Sequence, residues 1–332
     1  MKKSAGINGF GRFGLHLIKY WLDRARESTY SIDYINDDYL TIDDAYKILI
    51  SDPSVVFNKY KIKLLDNTLR FLAADGTLYE IEYSNSLKDD IPWLGRPGFM
   101  LECSGKNTIK RDCENFLTGN TKTVIISATS WDCDKTLVYG FNEKAYQPDT
   151  DKVVSYGSCT VNAYVPLGEC MHKKFGILDS DVNVIHNIQE YRMKDNYTLN
   201  RKFCTLEKSG PNLLPFIGNH NFVVNYTVVP YTGVSMIDFR FHLEKCPTRS
   251  DFITDLEYLI REGDLKGLYS MDEVDVGAEI YNCTTFSSVF IKEGIKVINN
   301  SVYLPAYFDN ENSVNRYHDL VNYICGSQNI TK

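Results

Sequence analysis

The stretch Gly9-Phe10-Gly11-Arg12-Phe13-Gly14 follows a short strand-like segment and precedes an amphipathic one, in which Leu15, Ile18, Leu22 and Ala25 recur at helical spacing. The three glycines therefore fall at a predicted turn from strand to helix. Glycine lets the backbone turn tightly and approach a pyrophosphate, whose charge then meets the helix N-terminus. The stretch predicts a Rossmann-type fold that binds a dinucleotide.

The acidic residue that such a fold requires comes after the next strand-like run, residues 31–35. Asp37 lies at the distance from the glycines at which a carboxylate accepts the adenosine ribose hydroxyls. A carboxylate there also repels a 2′-phosphate, so the pattern favours NAD over NADP. Because Asp38, Asp43 and Asp44 follow, the alternative is that Asp37 belongs to a solvated acidic loop.

A second motif, Ser158-Cys159-Thr160-Val161-Asn162, lies between a β-like run (152–155) and a helical segment. A helix N-terminus offers unpaired N–H groups and a partial positive charge, which favour a thiolate and can hold an oxyanion. Cys159 is therefore a candidate nucleophile. The nine cysteines are odd in number and lack paired C-x-x-C spacing, so we expect neither disulfides nor a structural metal.

Composition restricts the class of protein. With 332 residues, of which 43% are hydrophobic and 24% charged, the chain is long enough for two domains with large cores. A net charge of -7 argues against nucleic acid as a partner. No stretch approaches the apolar length of a membrane span, and the N-terminal residues lack an apolar signal region. We expect a cytoplasmic protein that binds neither nucleic acid nor membranes.

Six segments, in the same order along nearly the whole chain, resemble the glyceraldehyde-3-phosphate dehydrogenase family. They are AGINGFGRFG (5–14), IND (35–37), LECSG (101–105), VIIS (124–127), SCTVN (158–162) and DNE (309–311). The resemblance implies that NAD is the cofactor and that Ser158 and Thr160 bind the substrate. The cofactor-binding residues that it implies are Gly9, Phe10, Gly11, Arg12, Phe13, Gly14, Asp37, Ser104, Gly105, Ser127 and Asn310.

The resemblance also assigns a base and a ligand for the nicotinamide. It places the base at His186, whose imidazole would take the thiol proton and then the proton of the hemithioacetal. The alternative is a core histidine, since a lone histidine in an apolar strand is commonly structural. Asn310 would hydrogen-bond the nicotinamide carboxamide, although Asp309-Asn310-Glu311 also suits an ordinary turn after a strand.

The pattern of elements predicts an α/β protein. It has an N-terminal Rossmann-type doubly wound sheet and an α+β catalytic domain with a mixed, mostly antiparallel sheet. The resemblance implies an NAD-binding domain over 1–158, a catalytic domain over 159–310, and a C-terminal helix (about 311–332) that returns to the first domain. The predicted strands are 98–103, 123–127, 182–188, 234–243, 285–291 and 295–304, and the predicted helices are 107–117, 250–260 and 315–324.

Three positions depart from the family at its two anion sites, which hold the substrate phosphate and the attacking phosphate. Gln189 and Ile217 stand where the family has phosphate-binding threonines, and Val228 stands where it has an arginine. Neither isoleucine nor valine offers a charge or a donor, so a phosphate would lose several contacts unless others replace them. Basic residues of the segment 191–208 could supply replacement charge, or could form a solvated face.

Three hypotheses for the function follow. The first is an NAD-dependent aldehyde oxidoreductase that forms a thioester on Cys159 and releases acid by hydrolysis or passes the acyl group to an altered acceptor. The second is an authentic phosphorylating glyceraldehyde-3-phosphate dehydrogenase with rebuilt anion sites. The third is a noncatalytic, NAD-binding relative that acts as an interaction protein. The expected partners are a small-molecule aldehyde and, by resemblance, further copies of the chain in a homotetramer.

Overall fold

The computed structural model describes residues 2–188, 201–230, 233–311 and 313–327. The chain divides into two compact units: Met1–Gly157 together with Val314–Lys332, and Ser158–Ser313. Each unit contains one sheet. Within the described ranges, no helix combines the length and the hydropathy that a bilayer span requires.

The first unit opens with alternating strands and helices around a nine-stranded sheet. Its elements up to residue 155 are β1 (Lys3–Asn8), α1 (Arg12–Asp23), β2 (Tyr30–Asn36), α2 (Ile42–Ser51), β3 (Tyr60–Leu65), β4 (Thr68–Ala73), β5 (Leu78–Ser84), β6 (Phe99–Glu102), α3 (Lys110–Glu114), β7 (Thr123–Ile126), β8 (Lys135–Thr136) and β9 (Val153–Ser155). The strand order is β3-β4-β5-β2-β1-β6-β7-β9-β8. The strands from β5 through β8 in this order pair in parallel, whereas β3, β4 and β5 form an antiparallel extension.

The strands at the centre of this sheet have the burial that is typical of parallel strands. All four residues of β6 and of β7 are buried, as expected for strands covered on both faces. Helix α1 buries Leu15, Ile18 and Leu22 along one stripe and so covers part of the core. The antiparallel strands β3 to β5 interrupt the alternation of strands and helices that the sequence predicts through the first half.

The second unit follows directly. Its elements are α4 (Cys159–Phe175), β10 (Ile177–Asn187), α5 (Leu206–Leu213), β11 (Phe222–Val229), β12 (Val234–Leu243), α6 (Arg249–Arg261), β13 (Tyr269–Asp272), β14 (Ser288–Ile291), β15 (Lys296–Ile298) and β16 (Ser301–Asp309). They form a seven-stranded mixed sheet in the order β11-β10-β12-β16-β14-β13, with β15 paired to β16. Only β10 with β11 and β13 with β14 pair in parallel among these described strands. The predicted fold class is therefore confirmed.

Strand β12 shows how the second sheet packs. Ile237, Phe239 and Phe241 alternate with polar residues and are buried on one face, as period-2 patterning requires. Tyr164 of α4 stacks on Phe239 and Phe241, with ring centroids 6.3 and 5.9 Å away. This contact fixes α4 against the sheet, and the first residue of α4 is Cys159.

The last helix, α7 (Ser313–Ser327), belongs to the first unit from Val314 onward. The Tyr317 hydroxyl donates to the carbonyl of Ile125 in β7 at 2.6 Å. His318 Nδ1 lies 2.6 Å from the hydroxyl of Tyr30 in β2. These buried polar contacts attach the C-terminal helix to the two strands.

Two predicted elements differ from the structure. The helix predicted over 107–117 is reduced to α3, whose first residue, Lys110, donates its backbone N–H to the Asp132 carboxylate at 2.9 Å. The strand predicted over 295–304 is the hairpin of β15 and β16. Asn299 and Asn300 turn it with φ of 48° and 63°, the left-handed pair that a tight two-residue turn requires.

Candidate active site

The glycine turn connects β1 to α1 and leaves space above the helix N-terminus. Gly9 has φ of +101°, and a Cβ there would collide with the backbone of Ser104. Gly11, in contrast, has no other heavy atom of the described chain within 4 Å of the position that a Cβ would take. No side chain of the described residues caps α1. The open backbone and uncapped N–H groups fit the pyrophosphate of a dinucleotide.

Asp37 holds the glycine turn from the end of β2. Its Oδ2 accepts the backbone N–H of Phe10 at 2.7 Å, and its Oδ1 accepts those of Tyr39 and Leu40 at 2.9 and 2.8 Å. Although the side chain is buried, a carboxylate has about four lone-pair sites, so one acceptor site is left for a ligand hydroxyl. The predicted ribose ligand therefore also shapes the turn.

The other predicted residues of this turn have structural contacts. Arg12 forms an ion pair with Asp52. The Phe13 ring packs edge-on against Tyr156 and Tyr317, with centroids 5.7 and 5.1 Å away. A Cβ on Gly14 would collide with the carbonyl of Gly9, so this glycine permits the close approach of α1.

A buried polar network underlies the turn, and it includes Asn8 and Glu102, to which sequence reasoning assigned no role. Glu102 accepts the Asn8 Nδ2 donor at 2.7 Å and both the N–H and the hydroxyl of Ser104. Ser127 donates its backbone N–H to the Glu102 carbonyl at 2.9 Å, and Gly105 turns the chain with φ of +68°. The signal in the sequence is a polar residue at the end of each buried strand. The structure thus brings Ser104, Gly105 and Ser127 to the same edge of the sheet as Gly9.

The contrast between the two glycines predicts two different phenotypes. Gly11→Ala should leave the thermal midpoint unchanged, since its φ of -73° and its surroundings accept a methyl group. It should weaken NAD binding by about tenfold or more, because the methyl group occupies the space over the helix N-terminus. Gly9→Ala should instead lower stability by about 2 kcal/mol or more through strain. Calorimetric NAD titration and thermal melts check both variants; unaltered NAD affinity in Gly11→Ala would contradict this assignment.

In the second unit, Cys159 begins helix α4. The Ser158 hydroxyl caps the helix by accepting the Val161 N–H at 3.3 Å. The sequence predicts a thiolate, but burial raises the pKa of the Cys159 thiol to about 12, and the hydrogen bonds from backbone N–H groups offset this only in part. The thiol is therefore neutral at pH 7, so the helix N-terminus alone does not produce a thiolate here.

His186 faces this thiol from β10. Its Nε2 lies 3.5 Å from Cys159 Sγ, and its Nδ1 lies 2.7 Å from the carbonyl oxygen of Asn187. Because a carbonyl can only accept, Nδ1 carries the proton and Nε2 presents a lone pair to the thiol. Burial lowers the pKa of His186, so the imidazole is neutral at pH 7. The pair can move a proton from sulfur to nitrogen.

Hydroxyl groups surround the start of α4. Ser158 Oγ lies 3.2 Å from Thr160 Oγ1 and accepts a hydrogen bond from the Thr205 hydroxyl at 2.9 Å. Thr205 precedes the first residue of α5, so the N-termini of α4 and α5 meet at this cluster. Cys204 Sγ is 3.4 Å from Thr160 Oγ1. Hydroxyl donors at helix N-termini form a site that can bind an anion.

Sequence reasoning missed Thr205, and it noted Ile217 only as a position where the family has a phosphate-binding threonine. The structure buries Ile217, whose Cδ1 would be 3.4 Å from a Cβ on Gly210 of α5, so it packs in the core under that helix. Val228 pairs directly with His186 in the register of β10 and β11. It therefore leaves an aliphatic side chain on the strand next to the histidine. Gln189, Arg192 and Lys194 lie outside the described residues.

The side chain of Asn310 forms hydrogen bonds with Asn187 and Ser235. Its Nδ2 donates to the Asn187 carbonyl at 2.9 Å and to the Asn187 Oδ1, and its Oδ1 accepts from the Ser235 hydroxyl. Asn187 is also the residue whose carbonyl orients His186. One residue therefore connects the predicted base to the predicted nicotinamide ligand, and Asn310 retains only one free lone pair on Oδ1 for a ligand.

Comparisons with known proteins agree with these features. No family model matches the chain. Glyceraldehyde-3-phosphate dehydrogenase 1 of Giardia intestinalis is 29% identical, covering 96% of this chain and 97% of its own length. Glyceraldehyde-3-phosphate dehydrogenase 1 of Caenorhabditis elegans is 28% identical, with 97% of this chain and 98% of the relative covered.

A third relative, the cytosolic glyceraldehyde-3-phosphate dehydrogenase of Ginkgo biloba, is 30% identical over 93% of both chains. Similarity of this extent spans both sheets and both groups of site residues. The segments that carry the resemblance in the sequence lie at the glycine turn, at the ends of β2, β6, β7 and β16, and at the start of α4. With NAD as its cofactor, the chain belongs to the glyceraldehyde-3-phosphate dehydrogenase family.

Proposed function

We propose that this protein is an NAD-dependent aldehyde dehydrogenase that forms a thioester on Cys159 and uses His186 as its base. The observation that carries the proposal is the 3.5 Å approach of His186 Nε2 to Cys159 Sγ. The Asn187 carbonyl holds the tautomer that leaves Nε2 free. A neutral thiol needs a neighbouring base to become a nucleophile, and this pair supplies one.

The steps follow from the two side chains. Cys159 Sγ attacks the aldehyde carbon while His186 Nε2 takes the thiol proton and returns it to the former carbonyl oxygen. The resulting hemithioacetal has its hydroxyl near the start of α4. His186 then removes the hydroxyl proton of the hemithioacetal as the carbon loses its hydride. NAD supplies the acceptor of that hydride. The product is a thioester on Cys159, which water or another nucleophile cleaves to return the thiol.

The first unit would hold the cofactor. Gly9, Gly11 and Gly14 would cradle the pyrophosphate at the N-terminus of α1, and the remaining lone pair of Asp37 would accept a ribose hydroxyl. Asn310, oriented by Asn187, would contact the nicotinamide carboxamide. We accordingly assign NAD binding to residues 1–158 with the C-terminal helix, and catalysis to residues 159–310.

The acyl acceptor distinguishes hydrolysis from phosphorolysis. The hydroxyl cluster of Ser158, Thr160 and Thr205 at two helix N-termini favours an anionic acceptor such as inorganic phosphate. The aliphatic Val228 beside His186 argues against a family-type guanidinium at that strand position. Both observations are consistent with an enzyme that oxidises a different aldehyde from the family's but still passes the acyl group to inorganic phosphate. The authentic phosphorylating enzyme with rebuilt anion sites is the second candidate, which the Thr205 hydroxyl favours.

A panel of aldehydes tests the proposal. The protein is mixed with NAD and with phosphorylated or plain aldehydes, with and without inorganic phosphate, and NADH is followed by its absorbance. We expect NADH formation with at least one aldehyde. Strict dependence on phosphate with glyceraldehyde 3-phosphate would favour the second candidate. If NAD binds normally but no aldehyde is oxidised, the protein is the noncatalytic relative and the proposed function is wrong.

Cellular location and assembly are further parts of the proposal. The relative from Ginkgo biloba is named as a cytosolic enzyme, which supports a cytoplasmic location. The family resemblance supports assembly as a homotetramer.

A further inference from the structure

An ion pair lies in the cleft beside the glycine turn. The cleft has a volume of about 300 Å³ and is lined by residues that follow the four adjacent strands β5, β2, β1 and β6, among them Gly9, Asp38, Ser104 and Lys106. Lys106 Nζ lies 2.7 and 2.6 Å from the two oxygens of the Asp38 carboxylate. The contact therefore joins the segment after β2 to the segment after β6, across the edge of the sheet where a Rossmann fold binds its dinucleotide.

The two consecutive aspartates, Asp37 and Asp38, differ in their burial and in their partners. Asp37 is buried and accepts three backbone N–H groups, so it is fixed in the fold. Asp38 is partly exposed, with 33% of its side chain accessible, and its partner Lys106 is 62% accessible. An ion pair this exposed contributes little to stability and can rearrange around a ligand. Its position in the cleft suggests a role in binding.

We propose that Asp38 adds to the selectivity for NAD over NADP that Asp37 favours, because it neutralises Lys106, which would otherwise bind a 2′-phosphate. The inference rests on the proposed ribose contact of Asp37, since the 2′-oxygen is then next to Asp38. A 2′-phosphate at that place meets the carboxylates of Asp37 and Asp38, and Lys106 is already paired with Asp38. The other lysine that lines the cleft, Lys88, donates to the carbonyl of Asp112 at 3.1 Å. NAD carries an uncharged hydroxyl there and meets neither penalty.

Removal of one negative charge should therefore change NADP binding in two ways at once. Asp38→Asn keeps the shape of the side chain, removes one repulsive charge, and releases Lys106 to approach the phosphate. Asp89 lines the same cleft and carries the same charge, but its carboxylate contacts Asn115 and not a lysine. Asp89→Asn is thus a matched control for the loss of one charge from the cleft.

Calorimetric titration of the full-length protein with NAD and with NADP, without aldehyde, tests the inference. In Asp38→Asn, we expect the Kd for NADP to fall by about tenfold or more, and the Kd for NAD to change by less than about threefold. In Asp38→Asn/Lys106→Gln, the gain in NADP affinity should be lost. Asp89→Asn should change the NADP affinity by less than about threefold. The gain should also shrink as salt is added, because the released charge is exposed.

Two results would overturn the inference while NAD binding stays intact. One is an unchanged NADP affinity in Asp38→Asn, and the other is a gain that survives the loss of Lys106, which would leave the lysine without a role. If the unaltered protein fails to bind NAD, the proposed cofactor contacts are wrong and this inference falls with them.

Discussion

Replacing Cys159 with alanine should reduce NADH formation by about 10⁴-fold for any aldehyde that the unaltered protein oxidises. No other group in the proposed mechanism can form the covalent hemithioacetal, and removal of an enzyme nucleophile commonly has effects of this order. NAD binding should be retained, because Cys159 lies in the second unit and the cofactor-binding turn lies in the first. The measurements are initial rates by absorbance and NAD affinity by calorimetry.

The matched control is Cys246→Ala, a partly exposed cysteine on the loop before α6. It should leave the rate within about twofold, as expected for a surface position. Mass spectrometry of the unaltered protein, quenched during turnover, should find the acyl group on the peptide that contains Cys159. Full turnover by Cys159→Ala, or an acyl group on another cysteine, would refute the covalent role of Cys159.

Replacing His186 with glutamine should lower kcat/KM by about 10²-fold to 10⁴-fold at pH 7, the usual contribution of a general base. Glutamine preserves the size and polarity of the side chain but cannot accept the thiol proton. The exposed His220 offers a control, and His220→Gln should leave kcat/KM unchanged. An equal loss in both variants, or none in His186→Gln, would contradict the assignment of the base.

The pH dependence gives this second prediction a signature that a structural role would not produce. Burial lowers the pKa of His186, and the base works only when neutral, so the acidic limb of kcat/KM should lie below pH 6.5. In His186→Gln the limb should vanish. Because the pKa of Cys159 is about 12, the residual rate should instead rise about tenfold per pH unit between pH 7 and 10, as the thiolate forms without a base.

Helices and strands could be predicted from the sequence wherever the local spacing of apolar residues and glycines matches the residues that are buried in the folded chain. The glycine turn, helix α1 and the buried strands β6 and β7 follow from glycine spacing and apolar periodicity alone. The length of helix α3 could not be predicted from the sequence. The backbone N–H of its first residue, Lys110, donates to the carboxylate of Asp132, which lies on a distant loop. The hairpin turn at Asn299-Asn300 was missed, although asparagine tolerates the left-handed conformation and is favoured in turns.

The site was predictable where one segment contains the chemistry, and not where several segments meet. Cys159 and the glycines belong to short motifs with a local geometric reason. Thr205 is 47 residues from Ser158 along the chain, and only the folded chain shows that their hydroxyls are hydrogen-bonded. Asn187 is likewise an ordinary polar residue in the sequence, yet it contacts both His186 and Asn310.

The amino-acid sequence by itself indicated the family, the cofactor and the candidate nucleophile Cys159, because these depend on motifs whose spacing is set by backbone geometry. His186 came from the resemblance to the family and not from a local motif. Tertiary structure decided the protonation of the thiol, the tautomer of the histidine and the hydroxyls around them. Each of these depends on burial and on partners from other elements, and burial outweighs the helix N-terminus at Cys159. A helix N-terminus can be read from a sequence, whereas the surroundings that raise a pKa exist only after the chain has folded.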